Sequence, residues 1–409
     1  MAKAASLQLL RGGLALWQVP GFRCGAAYAG LKRPGSGVLD IGVLWAPGGA
    51  SAAAVFTANQ AAAAPVQWSR RVAARARASA AVVNSGNANA CTGPQGDRDA
   101  AEMAATAARA LGIRPAEVLV ASTGVIGKPL EMAKVRSGIW EAALQASGDG
   151  RGRLERAIMT TDLVQKRAAG RVRIGGRTVT VAGIAKGSGM IAPKVATLLA
   201  FVATDAEVAP RALGAALAHS ADRSFNCLTV DGQGSTNDSV FLMASGASGV
   251  RIARAGGAGY GKFRAALEAV CRDLARQIAR DGEGATKLVT VNVRGARSDA
   301  EARVAARAVA ESLLVKTALF GCDPNWGRIL SAIGMSRAKL DVTRARVAVG
   351  GIRVYDRRPL VFSPREAKKR LGAKELDLNV DLRLGPGSAA VYTCDLSYDY
   401  VKINAEYHT

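Results

Sequence analysis

The feature that most constrains this chain is a stretch near its middle, residues 186–201, in which a glycine-rich half precedes an apolar half. It reads Lys186-Gly187-Ser188-Gly189-Met190-Ile191-Ala192-Pro193-Lys194-Val195-Ala196-Thr197-Leu198-Leu199-Ala200-Phe201. The glycines predict a flexible approach to a rigid, buried segment, with the hydroxyl of Thr197 at the junction. A threonine in an aliphatic run commonly fills core space with its hydroxyl bonded to a carbonyl. This stretch alone therefore leaves a structural and a functional interpretation open.

The size and charge of the chain limit the classes of protein it can belong to. Its 409 residues, 49% of them hydrophobic, allow one large domain or two to three ordinary ones with a substantial core. The formal charge of +23 suits an anionic partner. However, the arginines are scattered among alanines and only 5% of residues are aromatic, which argues against nucleic-acid binding. No apolar run approaches the roughly 20 residues that a membrane span needs, so we expect no membrane span.

Cysteine and histidine usage excludes several kinds of site. The six cysteines are far apart and form no CxxC pair, which argues against a zinc knuckle or a disulfide framework and fits a reducing cytoplasm. Only His219 and His408 are present, and His219 lies among alanines on a predicted helix. We therefore predict that any catalytic base in this protein is not histidine. Likewise, no GxGxxG or GxxxxGK[ST] motif stands in a context that would support nucleotide binding.

The order of predicted elements indicates an α+β fold. Apolar periodicity predicts helices over residues 97–111, ended by Gly112, and over residues 260–280. A third helix starts at the capping box of Ser298 and Glu301 and is predicted to run to about Ala318. Further segments are predicted as strands: residues 38–44, 52–56, 80–84, 118–121, 171–174, 178–184, 288–293, and a β-rich tail that includes 376–382 and 389–404. Hairpins, such as the one turning at Gly175-Gly176, outnumber βαβ crossovers, so a layered α+β sandwich follows.

Three polar segments could carry chemistry. Ser122-Thr123-Gly124 follows a strand directly, and its amides could point at an anion as in an oxyanion hole, although an ordinary turn is the commoner structure. The loop within residues 225–239 is so rich in polar side chains that it either wraps a site or stays hydrated. Glu283, between two glycines, could reach into a cleft, although an exposed turn carboxylate is more common.

Taken together, the motifs of this chain resemble those of one family, the ornithine acetyltransferases of arginine biosynthesis, also known as bifunctional glutamate N-acetyltransferases. The resemblance covers almost the whole chain. It is carried by residues 186–193 with Ala196-Thr197, by residues 84–89, by Ser122-Thr123-Gly124, by Met159-Thr160-Thr161-Asp162, by residues 229–232 and 235–238, by residues 281–287, by residues 323–328 and by residues 400–409.

The resemblance implies a particular fold and a processed chain. The fold would be a layered α/β/β/α sandwich of the ornithine acetyltransferase/DmpA kind, with a smaller C-terminal α/β region. The chain would cut itself between Ala196 and Thr197. Residues 1–196 would become an alpha chain and residues 197–409 a beta chain, both sharing one sandwich core, with two copies of each in a cytoplasmic heterotetramer.

The resemblance also implies the reaction and its residues. Thr197 would be the nucleophile, activated by its own α-amine, whose unperturbed pKa is about 8. Thr123 and Gly124 would form the oxyanion hole. Substrate-binding positions carried over by motif are Thr160, Lys186, Thr197, Glu283, Asn404 and Thr409. N2-acetyl-L-ornithine would acetylate Thr197, and L-glutamate would take the acetyl group, with no cofactor or metal; some family members also accept acetyl-CoA as donor.

The sequence leaves other interpretations open. One is a side-branch acetyltransferase or an N-terminal-nucleophile aminopeptidase that acts on another amine. A second, outside enzymes, is an unprocessed basic binding protein. One departure from the family pattern is Lys194, where the family usually has Asn or another small polar residue; a cation three positions before the nucleophile could slow self-cleavage or lower the pKa of the new amine.

Overall fold

The computed structural model of this chain describes residues 7–192 and 198–406, which form sixteen strands and eleven helices. The strands are β1 (Gln8–Leu9), β2 (Arg23–Ala27), β3 (Ile41–Phe56), β4 (Arg77–Asn87), β5 (Val118–Val125), β6 (Lys166–Ile174), β7 (Arg177–Lys186), β8 (Leu199–Thr204), β9 (Glu207–Val208), β10 (Ser239–Ala244), β11 (Arg251–Ile252), β12 (Leu288–Ala296), β13 (Arg346–Val349), β14 (Ile352–Asp356), β15 (Glu375–Asp381) and β16 (Gly387–Cys394). The helices are α1 (Ala64–Ala73), α2 (Gly93–Leu111), α3 (Met132–Ser147), α4 (Leu154–Ala157), α5 (Pro210–Asp222), α6 (Tyr260–Arg280), α7 (Asp299–Glu311), α8 (Leu313–Phe320), α9 (Trp326–Gly334), α10 (Pro364–Leu371) and α11 (Tyr398–Glu406).

One long strand, β3, joins the two halves of the main sheet. The strand order is β1-β6-β7-β8-β10-β3-β4-β5, with β2 also paired to β3. The first part of β3 pairs with β2 and β4, and its last six residues pair with β10, with a register shift between Trp45 and Ala50. Such a shift bends a strand and increases its twist, which lets a single strand serve both halves of the sheet.

Each half of the sheet is covered by its own helices. Helices α5 and α6 pack on the half made of β6, β7, β8 and β10, and helices α2 and α3 pack on the half made of β3, β4 and β5. Alternate residues of both halves point to the opposite side, where Leu119, Phe201 and Phe241 belong to one shared interior cluster. The order is therefore helices, sheet, sheet and helices, which confirms the predicted α/β/β/α sandwich.

The smaller C-terminal region is a second sheet with its own core. Its order is β14-β13-β15-β12-β16, and its apolar residues pack against α7, α8 and α9. Strand β12 follows α6 and Glu283, so this region begins at the edge of the main core. The predicted smaller α/β region is confirmed.

Several local predictions are corrected by the structure. Residues 38–44 and 52–56 were expected to be separate strands but belong mostly to the single strand β3. The helix predicted to continue to Ala318 ends at Glu311, because Ser312 caps the new helix α8 by accepting from the Val315 amide. The tail is not extended to residue 404, since β16 ends at Cys394 and α11 follows. Among the described residues, no helix combines the length and apolar character needed to cross a bilayer.

Candidate active site

Six of the predicted site residues line one small cavity of about 90 Å³. They come from five separate parts of the chain: Thr123, Gly124, Thr160, Lys186, Glu283 and Asn404. The loop before β10 contributes Ser235, Thr236 and Asn237 to the same cavity. The polar loop of residues 225–239 therefore borders the cavity, which is the first of the two alternatives that the sequence left open for it.

The end of strand β5 brings Thr123 and Gly124 to the cavity. Gly124 has a φ of +134°, and a Cβ there would lie 2.3 Å from the carbonyl carbon of Gly86 on the neighbouring strand β4. Only glycine fits this backbone position, because both the conformation and the close approach exclude a side chain. The hydroxyl of Thr123 accepts a hydrogen bond from Lys186, with 3.2 Å between Nζ and Oγ1.

Lys186 is the last residue of β7 and is only 4% exposed. Burial lowers the pKa of its amine, and the charge of Asp162 is the largest effect that opposes this lowering. The structure thus places a partly desolvated cation beside the Thr123 hydroxyl. Such a group can pair with a substrate carboxylate or with an oxygen that gains negative charge.

A buried ion triad lies next to this lysine. Lys166 is fully buried, and its Nζ lies 2.6 Å from Asp162 Oδ1 and 2.5 Å from Asp281 Oδ2. Burial alone would raise the pKa of Asp162, but the charges of Lys186 and Lys166 and the hydrogen bonds to the carboxylate outweigh it and lower that pKa to about 2. Asp162 therefore stays ionised throughout the neutral range.

Glu283 and Asn404 close another side of the cavity. Asn404 Nδ2 donates to Glu283 Oε2 at 2.9 Å and to the Tyr400 carbonyl at 3.0 Å. The carboxylate of Glu283 lies against Gly189, where a Cβ would come within 2.2 Å of Oε2. Because Gly189 has no side chain, it leaves the space that the Glu283 carboxylate occupies.

The cleavage site itself falls in residues 193–197, outside the described residues, as do Lys194, Ala196, Thr197 and Thr409. On one side, Met190 and Ile191 donate their amides to Asp231 at 2.6 and 2.8 Å. On the other, Leu198 donates its amide to Asp238 Oδ1 at 3.0 Å. Both anchors therefore belong to residues 231–238, the segment that also lines the cavity.

Asp238 is the more unusual of these two carboxylates. It is fully buried, and burial raises its pKa well above the usual range, against the hydrogen bond from Leu198 and the charge of Lys186. Within residues 7–192 and 198–406, its Oδ2 atom has no hydrogen-bond partner. When protonated, such a carboxyl can donate as well as accept a hydrogen bond.

Some functional features could not be found from the sequence. Lys166 and Asp281 are 115 positions apart, and no spacing pattern connects them. Asp231 and Asp238 stand in the polar loop, where the crowded side chains and the family motifs at residues 229–232 and 235–238 were the available signals. His219, by contrast, lies on α5 and contacts Glu268 at 3.2 Å, away from the cavity-lining residues.

The fold and the cavity together define the class of protein. A layered α+β enzyme presents a small polar site in which a hydroxyl, a buried lysine, a carboxylate and an amide converge on one volume. These groups suit a small ligand with both a carboxylate and an amine. No group of three or more His, Cys, Asp and Glu side chains suited to a metal ion occurs within the described ranges.

Comparison with known proteins identifies the family. The ArgJ family model matches residues 23–409. The arginine biosynthesis bifunctional protein ArgJ of Symbiobacterium thermophilum is 50% identical over 390 residues, covering 95% of this chain and 97% of that protein. The ArgJ protein of Geobacter sulfurreducens is 48% identical over 395 residues, covering 96% of this chain and all of that protein. The crystal structure of ArgJ from Bacillus halodurans is 44% identical, with a TM-score of 0.49, and covers 51% of this chain and 98% of that chain.

The chain therefore belongs to the ArgJ family, the ornithine acetyltransferases of arginine biosynthesis. The resemblance of the sequence motifs to this family is confirmed. The roles of individual residues stay predictions.

Proposed function

We propose that this protein transfers the acetyl group of N2-acetyl-L-ornithine to L-glutamate through an acetyl ester on Thr197. The observation that carries the proposal is the cavity shared by Thr123, Gly124, Thr160, Lys186, Glu283 and Asn404. Membership of the ArgJ family supports the same reaction.

The reaction proceeds in two balanced steps. The Thr197 hydroxyl oxygen attacks the acetyl carbonyl while the Thr197 α-amine takes the hydroxyl proton, and the tetrahedral intermediate expels ornithine, whose amine receives that proton. The glutamate amine then attacks the ester and gives a proton to the Thr197 α-amine, N-acetylglutamate leaves, and that proton returns to the Thr197 oxygen to restore the hydroxyl. The oxyanion of each intermediate is held by the Thr123 hydroxyl and the Gly124 amide.

The charged residues of the cavity orient the substrates. Lys186 pairs with the substrate carboxylate, and Glu283 pairs with an amino group of ornithine. Asn404 and Thr409 hold the amino-acid end. The Asn404 to Glu283 contact at 2.9 Å supports this arrangement because it joins two of these groups before any substrate arrives.

Self-cleavage between Ala196 and Thr197 creates the nucleophile. Thr197 attacks the Ala196 carbonyl, an N-to-O acyl shift gives an ester, and water hydrolyses it, which leaves chains 1–196 and 197–409. Met190, at a φ of +55°, lies in the left-handed region, which is strained for a non-glycine residue. Asp231 fixes this residue by accepting its amide at 2.6 Å.

The assembly of the two chains and their location in the cell are also proposed from membership of the ArgJ family. Two copies of each chain would assemble in the cytoplasm, as expected for an enzyme of amino-acid biosynthesis. An assay with acetyl-CoA in place of acetylornithine decides whether acetyl-CoA is a second donor.

Two measurements on the purified full chain test the proposal. A denaturing gel should show two bands of similar size, and incubation with acetylornithine and glutamate should release ornithine. The variant Thr197→Ala should give one band and no transfer, whereas Thr197→Ser, which keeps a hydroxyl, should retain both activities in part. Transfer that survives in Thr197→Ala would overturn the mechanism, and release from a different acetyl-amine would move the substrate to a side branch.

A further inference from the structure

The buried triad of Asp162, Lys166 and Asp281 joins the segments that supply three of the proposed substrate-binding residues, Thr160, Lys186 and Glu283. Asp162 accepts the amide of Thr160 at 3.0 Å and the amide of Gly187 at 2.7 Å. Asp162 therefore fixes the backbone of Thr160 and the backbone directly after Lys186. Lys166 connects this carboxylate to Asp281.

Asp281 extends the connection to the third segment. Its carbonyl oxygen accepts the Ser188 hydroxyl at 2.6 Å, and the carbonyl of Ser188 accepts the Glu283 amide at 2.9 Å. Its carboxylate also accepts the Leu163 amide at 3.1 Å. The segments at residues 160–163, 186–189 and 281–283 are thus tied to a single ammonium group.

We propose that this ion triad positions Lys186 for the transfer reaction, with Asp162 and Lys166 as its positioning residues. The inference rests on the proposed function for the use made of Lys186, but the geometry of the triad does not depend on any substrate. Neither Asp162 nor Lys166 reacts; each acts through Lys186 and the backbone that carries it.

A purely structural triad would differ from this one in its electrostatic effect. Lys186 is surrounded by the charged groups Asp162, Lys166, Asp238, Glu283 and Lys32. Burial lowers the pKa of Lys186, Asp162 opposes that effect, and Lys166 adds to it as a like charge. Removing the charge of Asp162 should therefore lower the Lys186 pKa, and removing the charge of Lys166 should raise it. If the triad served packing alone, the two variants would not shift this pKa in opposite directions.

The test measures the Lys186 amine directly on the full chain. Brief labelling with acetic anhydride over a pH series, with peptide mass spectrometry of Lys186, gives its titration midpoint without any substrate. We expect Asp162→Asn to lower that midpoint by about one pH unit, because it removes an opposite charge that favours the ammonium form. We expect Lys166→Met to raise it by a similar amount, because it removes a like charge that disfavours that form. In the transfer assay, the high-pH limb of kcat/KM should move the same way in each variant.

Asp205→Asn is the matched control. It also removes a buried carboxylate, one that accepts the Thr180 amide at 2.8 Å at the far end of strand β7. Its Lys186 midpoint should match that of the unaltered protein.

Shifts of the same sign in Asp162→Asn and Lys166→Met, or no shift, would overturn the proposal. If one variant does not fold, the sign of the shift in the other decides. Failure of the acetylornithine assay in the unaltered protein would count against the proposed function alone, because the labelling needs no turnover.

Discussion

The ammonium group of Lys186 donates to the hydroxyl oxygen of Thr123, with 3.2 Å between Nζ and Oγ1, so the end of β7 contacts the end of β5 inside the cavity. This bond uses a lone pair of the oxygen and leaves the hydroxyl hydrogen available. A hydroxyl that accepts from a cation is polarised and becomes a better donor in turn. Thr123 can therefore donate this hydrogen to an oxyanion, which is the role proposed for it.

Thr123→Val should remove that donor while keeping the shape of the side chain. We expect kcat to fall about 100- to 1,000-fold with little change in KM, because the lost bond forms mainly in the transition state. Steady-state ornithine release measures both constants. Thr123→Ser keeps the hydroxyl and should lose far less, and equal losses in the two variants would argue against an oxyanion role.

Gly124→Ala should destabilise the fold. The new Cβ would lie 2.3 Å from the Gly86 carbonyl carbon in a backbone with a φ of +134°. We expect the free energy of unfolding in urea to drop by about 3 kcal/mol or more, from the clash and the backbone strain together. Gly127 offers a matched control, since its φ is +83° but no atom lies within 4 Å of the added Cβ. Gly127→Ala should cost only about 1 to 2 kcal/mol, and an equal cost at the two positions would contradict the close approach at Gly124.

Local patterns predicted the fold where one face of an element is buried. Helix α6 begins and ends where predicted, because Phe263, Leu267, Val270 and Leu274 recur every three or four residues and all lie in one core cluster. Helix α11 has no buried residue, so no apolar stripe distinguished it from a strand. The α/β/β/α layering came from the family resemblance, since the joining of two sheet halves by β3 depends on long-range pairing.

The candidate site could be predicted only in part, because it also depends on contacts between distant parts of the chain. Thr123, Lys186 and Glu283 were identified through motifs of the family, and each alone was weak evidence. Their convergence is a property of the folded chain, because β5, β7 and the turn after α6 meet at one cavity. Asp162 and Asp281 lie in motifs of the family, but their pairing through Lys166 left no local pattern in the sequence and required the structure.

The stability of the protein should depend on the ionisation of Lys32 at high pH. Its Nζ donates to the carbonyls of Leu39 and Ala157 at 2.9 and 3.1 Å. Burial, with Lys186 as a like charge, lowers its pKa to about 8, although Asp40 opposes the change. Below pH 8 both the folded and the unfolded chain hold the proton, so the cost of burying the charge is constant.

As pH rises from about 8 towards the unfolded pKa of about 10.4, the folded chain releases this proton while the unfolded chain keeps it, so this group contributes increasing stability. The free energy of unfolding, relative to Lys32→Met, should therefore increase by on the order of 2 to 3 kcal/mol over this interval. Urea unfolding at pH values across it measures the difference. Lys128→Met, which removes an exposed lysine, is the control; a constant difference for Lys32→Met would contradict the expected proton release.

Glu283 should set the affinity for the amine of the substrate. Glu283→Gln keeps an oxygen that can accept from Asn404 Nδ2, now 2.9 Å from Glu283 Oε2, but it removes the charge. A hydrogen bond to a charged group contributes about 1.5 to 3 kcal/mol, so KM for acetylornithine should rise about tenfold or more, with a smaller change in kcat. Glu131→Gln, at a carboxylate paired with Lys134 at 2.6 Å outside the cavity lining, is the matched control and should leave KM unchanged. If Glu283→Gln instead lowered kcat at constant KM, the carboxylate would act in the chemical step and not in binding, because an interaction made equally in the ground and transition states changes KM alone.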